Sequence, residues 1–312
     1  MKSISFSNTN ELKIINIVFL IPLLFLSSPG CNNSGYDKSN QKIADSLTTK
    51  KDSVSDFISS LTDSSIIKIN EFSNGYNSRL DFPVNDENIF IDGDLYNLKF
   101  NPTGNYNDLK NQIAQKRTEF QKNWEKALGT KEKEMVINSA RTYITETLIN
   151  KIFPFWYGTK WSLSGYSEVP NQGETGCSYF VSNTLKHMGF KVNRYKLAQQ
   201  NSRNIPQSVQ MNDSLTLFTN IDKENFINKF PGTKKEGLYI IGLDCHVGYL
   251  LARKNELFFI HSSYAYPLIV QAEFVKHSKV FSSANYFIAD FTTNNSLIIN
   301  WLENKELKIV TD

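Results

Sequence analysis

Cysteine and histidine are scarce in this sequence, which contains three cysteines and four histidines among 312 residues. Long blocks of a single charge are also missing, because 34 basic and 31 acidic residues are scattered along the chain and leave a formal charge of +3. This balance gives no electrostatic basis for nucleic-acid binding, and we expect no nucleic acid among the partners. The hydrophobic content of 40% excludes a disordered or collagen-like chain and suffices for a folded core.

An apolar run near the N-terminus extends over residues 14–26 and is preceded by two lysines. The run is too short to predict a membrane-spanning helix, and with the small residues behind it we predict a secretory signal peptide over residues 1–30. The ending LSSPGC resembles a bacterial lipobox, which predicts that Cys31 carries a lipid. We therefore expect an exported protein that a lipid anchor holds to a membrane of the cell envelope. A plain signal peptide and an uncleaved anchor are the alternatives.

The next two regions have different compositions. Residues 31–63 are rich in serine, asparagine, aspartate and lysine, which predicts a flexible tether between the membrane and the folded part. Residues 64–152 form an N-terminal region whose second half has helical periodicity. Apolar residues recur at helical spacing over 109–128, with Asn105 or Asn107 as the N-cap and Gly129 at the end.

A second helix and a sheet follow. Apolar residues again show helical spacing over 137–152, and Pro154 is expected to end this helix, so that the two helices form a hairpin. Short apolar runs rich in β-branched and aromatic residues recur over 237–291, separated by turn residues. They predict an antiparallel sheet and an α+β fold.

The segment QGETGCSYF contains a cysteine, Cys177, where a helix is predicted to begin. Phe180, Val181, Leu185 and Met188 would share one face of that helix, and Gly189 would follow its end. A helix start favours the thiolate, the form in which cysteine is a nucleophile. His187 lies in the last turn, and we interpret it as a partner of the helix dipole rather than of Cys177.

Two other histidines, His246 and His261, bracket the predicted hairpin HVGYLLARKNELFFIH. If the turn is centred on Lys254 and Asn255, His246 lies opposite Ser263 and His261 is one diagonal step away. Both histidines then point to the same face, at a distance of about 7–8 Å between Cα atoms. A slip of the register by one residue would separate them.

This combination predicts a cysteine nucleophile with a histidine pair. His246 would accept the thiol proton, and His261 would orient the imidazole and stabilise its charge. Three alternatives remain open: a disulfide between Cys177 and Cys245, a zinc site formed by Asp244, Cys245 and the two histidines, and a serine triad that uses Ser262 or Ser263. Adjacent residues of a strand point to opposite faces, which disfavours Cys245 and His246 as ligands of one metal.

The segments GETGCSYFVSNTLKHMGF and GLYIIGLDCHVGYLLARKNELFFIHSSY resemble the NlpC-like family of papain-fold cysteine peptidases. The resemblance covers about residues 155–291. It implies a papain-like core in which the nucleophile helix packs on the antiparallel sheet, within a hydrolase domain over 153–312. Carried over residue by residue, it makes Cys177 the nucleophile, His246 the base and acid, and His261 the orienting residue.

The same resemblance suggests roles for two aromatic residues and a substrate. Tyr157 would lie beside the nucleophile and assist the oxyanion or the substrate, and Trp161 would form a wall of the cleft. The expected substrate is a peptidoglycan stem peptide, with no cofactor and no metal. The segment LAQQNSRNIPQSVQ is a candidate specificity loop. Cysteine acyl transfer, an amidase activity on another substrate and non-catalytic binding at the cell surface are the alternative functions.

Overall fold

The computed structural model describes residues 91–211 and 213–312, and it has a mixed helix and sheet architecture that confirms the α+β prediction. The predicted signal peptide, Cys31 and the predicted tether lie outside the described residues. Within the described ranges, no helix has the length and the apolar character that a membrane span requires.

The helices of the described part flank the sheet. They are α1 (Gly93–Tyr96), α2 (Tyr106–Lys126), α3 (Thr130–Thr147), α4 (Phe153–Trp156), α5 (Cys177–His187), α6 (Arg194–Ala198), α7 (Asn204–Gln210), α8 (Lys223–Thr233) and α9 (Asn295–Leu302). A π-helical segment, Leu148–Ile152, joins α3 to α4, and a 3-10 turn covers Val275–His277.

The strands form one large sheet and one short pair. They are β1 (Lys160–Trp161), β2 (Glu174–Thr175), β3 (Thr216–Thr219), β4 (Gly237–Gly242), β5 (Val247–Arg253), β6 (Glu256–Ser262), β7 (Val270–Phe274) and β8 (Asn285–Asp290). The large sheet has the order β3-β8-β4-β5-β6-β7, and each neighbouring pair is antiparallel. β1 and β2 pair in parallel.

The predicted helices α2 and α3 are present, but their ends differ from the prediction. Asn105 caps α2, as predicted, because its side chain accepts the N–H of Asn107. Gly129 does not end α2; it is the N-cap of α3. Leu128, assigned to the apolar stripe, is 92% exposed between the helices. Pro154 does not end the second helix either: the helical backbone continues from α3 through the π-helical segment Leu148–Ile152 into α4, and Pro154 lies in the first turn of α4.

The two faces of the large sheet bury separate apolar clusters. One face contributes Val247, Tyr249 and Leu251 of β5 to the cluster that includes α5 and the helical hairpin. The other face contributes Leu250 and Ala252 to a cluster with α8. Residues of β5 therefore alternate between two buried faces, which explains why this strand is apolar at nearly every position.

The hairpin of β5 and β6 has the predicted register, since Tyr249 pairs with Ile260 and Arg253 pairs with Glu256. Lys254 and Asn255 form the turn, and both have positive φ, at 50° and 62°. Positive φ at both central residues is the geometry of a type I′ turn, whose twist matches that of the strands. The turn geometry therefore holds the register on which the positions of the histidines depend.

The segment predicted to be a specificity loop forms part of the core instead. It folds into α6 and α7, and most of the α7 residues are buried, among them Ile205 and Val209. A Cβ at Gly242 of β4 would lie 1.7 Å from the carbonyl oxygen of Ser202, so the connection between the two helices passes directly over the strand. The segment is helical and not a loop because its apolar residues Leu197, Ile205 and Val209 are buried in the core.

Candidate active site

Helix α5 begins at Cys177, as predicted, and contacts on both sides hold its first turn in place. The hydroxyl of Ser262, at the end of β6, donates to the carbonyl oxygen of Thr175 at 2.7 Å. The N–H of Gly176 donates to the carbonyl oxygen of Gly165 at 2.8 Å. Farther along the helix, the Thr184 and Tyr249 hydroxyls are hydrogen-bonded at 2.8 Å. The cysteine is thus positioned against the hairpin that carries both histidines.

The thiol of Cys177 is half-buried and free, so no disulfide joins it to Cys245. Burial raises the pKa of Cys177, while the backbone N–H groups of Val247, Ser178 and Cys177 itself act in the opposite direction. The stabilising effect of the helix start is therefore present but smaller than the cost of burial. The N–H of Val247 belongs to the residue after His246, which places the thiol at the start of β5.

His246 and His261 are hydrogen-bonded to each other in the buried end of this hairpin. The distance from His246 Nε2 to His261 Nδ1 is 2.9 Å, and the ring centroids are 5.0 Å apart. His246 is 3% exposed and His261 is inaccessible. Burial, and secondly the charge of His261, lower the pKa of His246 well below its ordinary value. The predicted pairing of the two imidazoles is confirmed.

Gly248 provides the space in which the two rings meet. A Cβ at this position would lie 2.9 Å from the Cβ of His261, 2.7 Å from the ring of Phe259 and 2.9 Å from the carbonyl oxygen of Ile260. Real Cβ atoms do not approach other atoms this closely. Position 248 therefore requires glycine because the neighbouring strand β6 leaves no room for a side chain, and not because of an unusual backbone angle.

The second ring nitrogen of His261 faces a residue that sequence analysis did not identify. His261 Nε2 lies 2.9 Å from Oε1 of Glu273, which is on the adjacent strand β7. Glu273 is 3% exposed, and the hydroxyl of Ser278 also donates to it. The sequence contains one signal for this residue: a glutamate in the middle of an apolar strand requires a buried partner.

The tyrosine that interacts electrostatically with Cys177 is Tyr264, which sequence analysis also missed. Burial raises the pKa of Tyr264, and the charge of Cys177 raises it further. Its ring lies 5.2 Å from that of His246 and 6.3 Å from that of Trp161, and the residue is 48% exposed. Trp161 therefore lies beside the mouth of the site. Tyr157 is buried, packs against Phe100, and burial alone raises its pKa.

The remaining candidates have structural contacts. The hydroxyl of Ser263 donates to the carbonyl oxygen of Ala265 at 3.0 Å, and that of Ser262 is bonded to Thr175 as described above. In the described ranges, no group of three histidine, cysteine or acidic residues could hold a metal ion. His187 is buried in the last turn of α5, and burial lowers its pKa to about 4, so at neutral pH it lies at the helix end as an uncharged ring.

Comparison with known proteins identified no relative of this chain. No protein-family model, no curated protein and no solved structure matches the chain.

Proposed function

We propose that this protein is a cysteine hydrolase that cleaves an amide bond, with Cys177 as the nucleophile and His246 as the general base and acid. The observation that carries the proposal is the bonded pair of imidazoles on the hairpin whose Val247 N–H faces the half-buried thiol of Cys177 at the start of α5. A pair of buried histidines is costly to maintain in a core, and the chemistry of thiol activation gives it a use.

The reaction follows from the groups present. His246 takes the proton of the Cys177 thiol, and the sulfur attacks the carbonyl carbon of the amide. The backbone N–H groups at the start of α5 lie beside this sulfur and are the donors available to the oxyanion. The tetrahedral intermediate collapses to a thioester when the amine leaves with the proton from His246. Water, deprotonated by His246, then hydrolyses the thioester and restores the thiol.

The substrate class and the location are part of the same proposal. The resemblance of the cysteine and histidine segments to NlpC-like enzymes favours a papain-like core and a peptidoglycan stem peptide as substrate. The predicted lipid on Cys31 would hold the enzyme in the cell envelope, where that substrate occurs. The aromatic side chains of Trp161 and Tyr264 at the mouth of the site provide a surface for a substrate to pack on.

The test is the action of the full chain on purified muropeptides. We expect two peptide fragments from the wild-type protein, and a loss of at least about 10³-fold in kcat/KM for Cys177→Ala, because the nucleophile is removed. Lys186→Ala changes an exposed residue of the same helix and serves as the control.

Three outcomes would contradict the proposal in different ways. A conjugate between the peptide and an added amine, in place of two fragments, would indicate acyl transfer. Retention of cleavage by Cys177→Ala would remove the cysteine from the mechanism, and binding without cleavage by both proteins would favour the non-catalytic alternative.

A further inference from the structure

Glu273 is a buried carboxylate that the reaction described above does not yet use. In the described part of the chain it is the only acidic residue with a buried side chain. It lies on β7, one strand beyond His261, and accepts hydrogen bonds from the imidazole of His261 and the hydroxyl of Ser278. A carboxylate in such a position is costly to bury unless its partners compensate for the lost hydration.

With Glu273 as a carboxylate, the direction of each hydrogen bond in the series Ser278, Glu273, His261 and His246 follows. The hydroxyl oxygen of Ser278 accepts the N–H of Phe281 at 3.0 Å, so the hydroxyl hydrogen is directed to Glu273. An ionised carboxylate only accepts, and therefore the Nε2 atom of His261 carries a hydrogen. In neutral His261, Nδ1 is then the acceptor.

The same reasoning extends to His246. Because His261 Nδ1 accepts, the Nε2 atom of His246 that faces it at 2.9 Å must donate. Neutral His246 consequently has its unprotonated nitrogen at Nδ1. That is the nitrogen not used by His261, and it is the one available for the proton of the Cys177 thiol. A single carboxylate thus determines the tautomer of two successive histidines.

Charge gives Glu273 a second effect. Proton transfer from Cys177 creates an imidazolium on His246 in a site where burial disfavours the charged form. The side chains in and around this hydrogen-bonded series are Glu273 from β7, His261 from β6, Cys177 from α5, Tyr264 from the loop after β6, and Ser278 after β7. Among them, Glu273 supplies a negative charge that is present before the reaction. A positive charge, that of Lys223, also lies near Ser278, where its ammonium group donates to the backbone carbonyl oxygens of Lys276 and Ser278.

We infer that Glu273 is a positioning residue that sets the tautomers of His261 and His246 and stabilises the imidazolium formed when His246 takes the thiol proton. The S–H bond of Cys177 breaks and the Nδ1–H bond of His246 forms, while Glu273 stays ionised throughout. The arrangement extends the proposed Cys-His-His triad to a fourth residue, and this inference rests on the proposed function.

The first experiment uses iodoacetamide, with alkylation of Cys177 followed by peptide mass spectrometry from about pH 5 to about pH 11, a range that extends beyond the ordinary thiol pKa because burial raises the pKa of Cys177. Glu273→Gln keeps the shape and an acceptor oxygen but removes the charge. We expect alkylation to be slower by about 10- to 100-fold at the acidic end, by analogy with the range seen for hydrogen-bond partners of metal-bound histidines. The rates should converge at the alkaline end, where solvent deprotonates the thiol.

Glu256→Gln is the matched control, since Glu256 begins β6 and pairs with Lys276 on the surface. Its profile should coincide with that of the wild-type protein. A Glu273→Gln profile that also coincides with the wild type, in a folded protein, would overturn the inference. A uniform loss at every pH would also overturn it, because loss of charge must act most where the thiol is protonated.

A second measurement needs no variant and therefore does not depend on how well Glu273→Gln folds. Nitrogen-15 NMR of the histidine rings in the wild-type protein should show the hydrogen on Nε2 of both His261 and His246 when they are neutral. A hydrogen on Nδ1 of His246 would contradict the inference. These results are independent of cleavage: if Cys177→Ala retains activity while the tautomers are as expected, the proposed function fails and the chain of hydrogen bonds stands.

Discussion

His187 is the last residue of α5 and His246 directly precedes β5; both histidines are buried, but their surroundings differ. His187 Nδ1 lies 2.8 Å from the hydroxyl of Tyr106, which accepts the indole N–H of Trp156. The ring of His187 also stacks on Trp156, with centroids 6.2 Å apart. Burial lowers the pKa of both histidines. A lowered pKa therefore does not distinguish a packed histidine from a functional one.

What differs is the end of each hydrogen-bond chain. From His187 the chain leads to Tyr106 and Trp156, which are neutral aromatic groups. From His246 it leads through His261 to the carboxylate of Glu273. A neutral end holds a ring in place, whereas an anionic end can also stabilise a charge that appears on the ring during a reaction.

The largest expected effects on activity come from substitutions of the histidines, which test the comparison of their two surroundings. We expect His246→Ala to lower kcat by about 10²- to 10⁴-fold, the range of general acid–base catalysis. His261→Ala should cause a smaller loss, because proton transfer remains while orientation is impaired. His187→Asn should leave kcat within about threefold, and should lower the free energy of unfolding by about 1–3 kcal/mol through the weakened bond to Tyr106.

Steady-state kinetics and urea unfolding of the three variants provide these values. Equal losses for His246→Ala and His261→Ala would contradict the division of roles between them. A loss for His187→Asn as large as that for His246→Ala would show that the difference between the two surroundings has no functional meaning.

A smaller effect is expected from Gly248→Ala, which disturbs the His246 surroundings without removing a functional group. The added methyl group would push His261 and Phe259 away from β5. The misplaced imidazole should lower kcat by about 10- to 100-fold, and the crowding should lower the free energy of unfolding by about 1–3 kcal/mol. Gly232→Ala in α8 is the control, since a Cβ there has no atom within 4 Å and should not reduce stability. Unchanged kinetics for Gly248→Ala would show that the pair tolerates a shift.

The smallest expected effect is the contribution of His187 to the pH dependence of the free energy of unfolding. Its pKa in the folded state is about 4, below its ordinary value of 6.5, so the unfolded chain binds a proton more readily. Stability from this group is complete above its ordinary pKa and is lost as the pH falls toward its folded pKa. The loss amounts to about 3 kcal/mol between neutral pH and pH 4, at about 1.4 kcal/mol per pKa unit.

The measurement is urea unfolding of the wild type and of His187→Asn at neutral and acidic pH. Because the variant lacks this titration, the stability difference between the two proteins should shrink as the pH falls. His246 titrates in both proteins and cancels in the comparison. A difference that stays constant with pH would contradict the neutral, buried state of His187.

Local patterns predicted the elements that carry the site. The apolar face of α5, with Gly176 before it and Gly189 after it, was sufficient to place Cys177 at a helix start. The alternation of β5 and β6 around Lys254 and Asn255 was sufficient to pair His246 with His261. These predictions succeeded because they depend on residues close together in the chain, whose geometry follows from helix and hairpin periodicity.

Predictions that required distant residues succeeded less well. Pro154 was expected to end a helix, but the backbone stays helical through the π-helical segment before it and on to Trp156. Residues 197–210 were expected to form a specificity loop; instead they include the end of α6, which packs on α5, and α7, which packs on β4 and β8. In both cases the sequence pattern is compatible with either outcome, and contacts with the sheet select one of them.

The sequence by itself determined the candidate nucleophile, its position at a helix start and the pairing of two histidines across a hairpin. Only the tertiary structure decided which groups complete the site. Glu273 is brought to His261 by the pairing of β7 with β6, and Tyr264 is brought to His246 by the course of the loop after β6. The physical reason is that protonation and charge depend on burial and on partners from other strands, which no local pattern specifies.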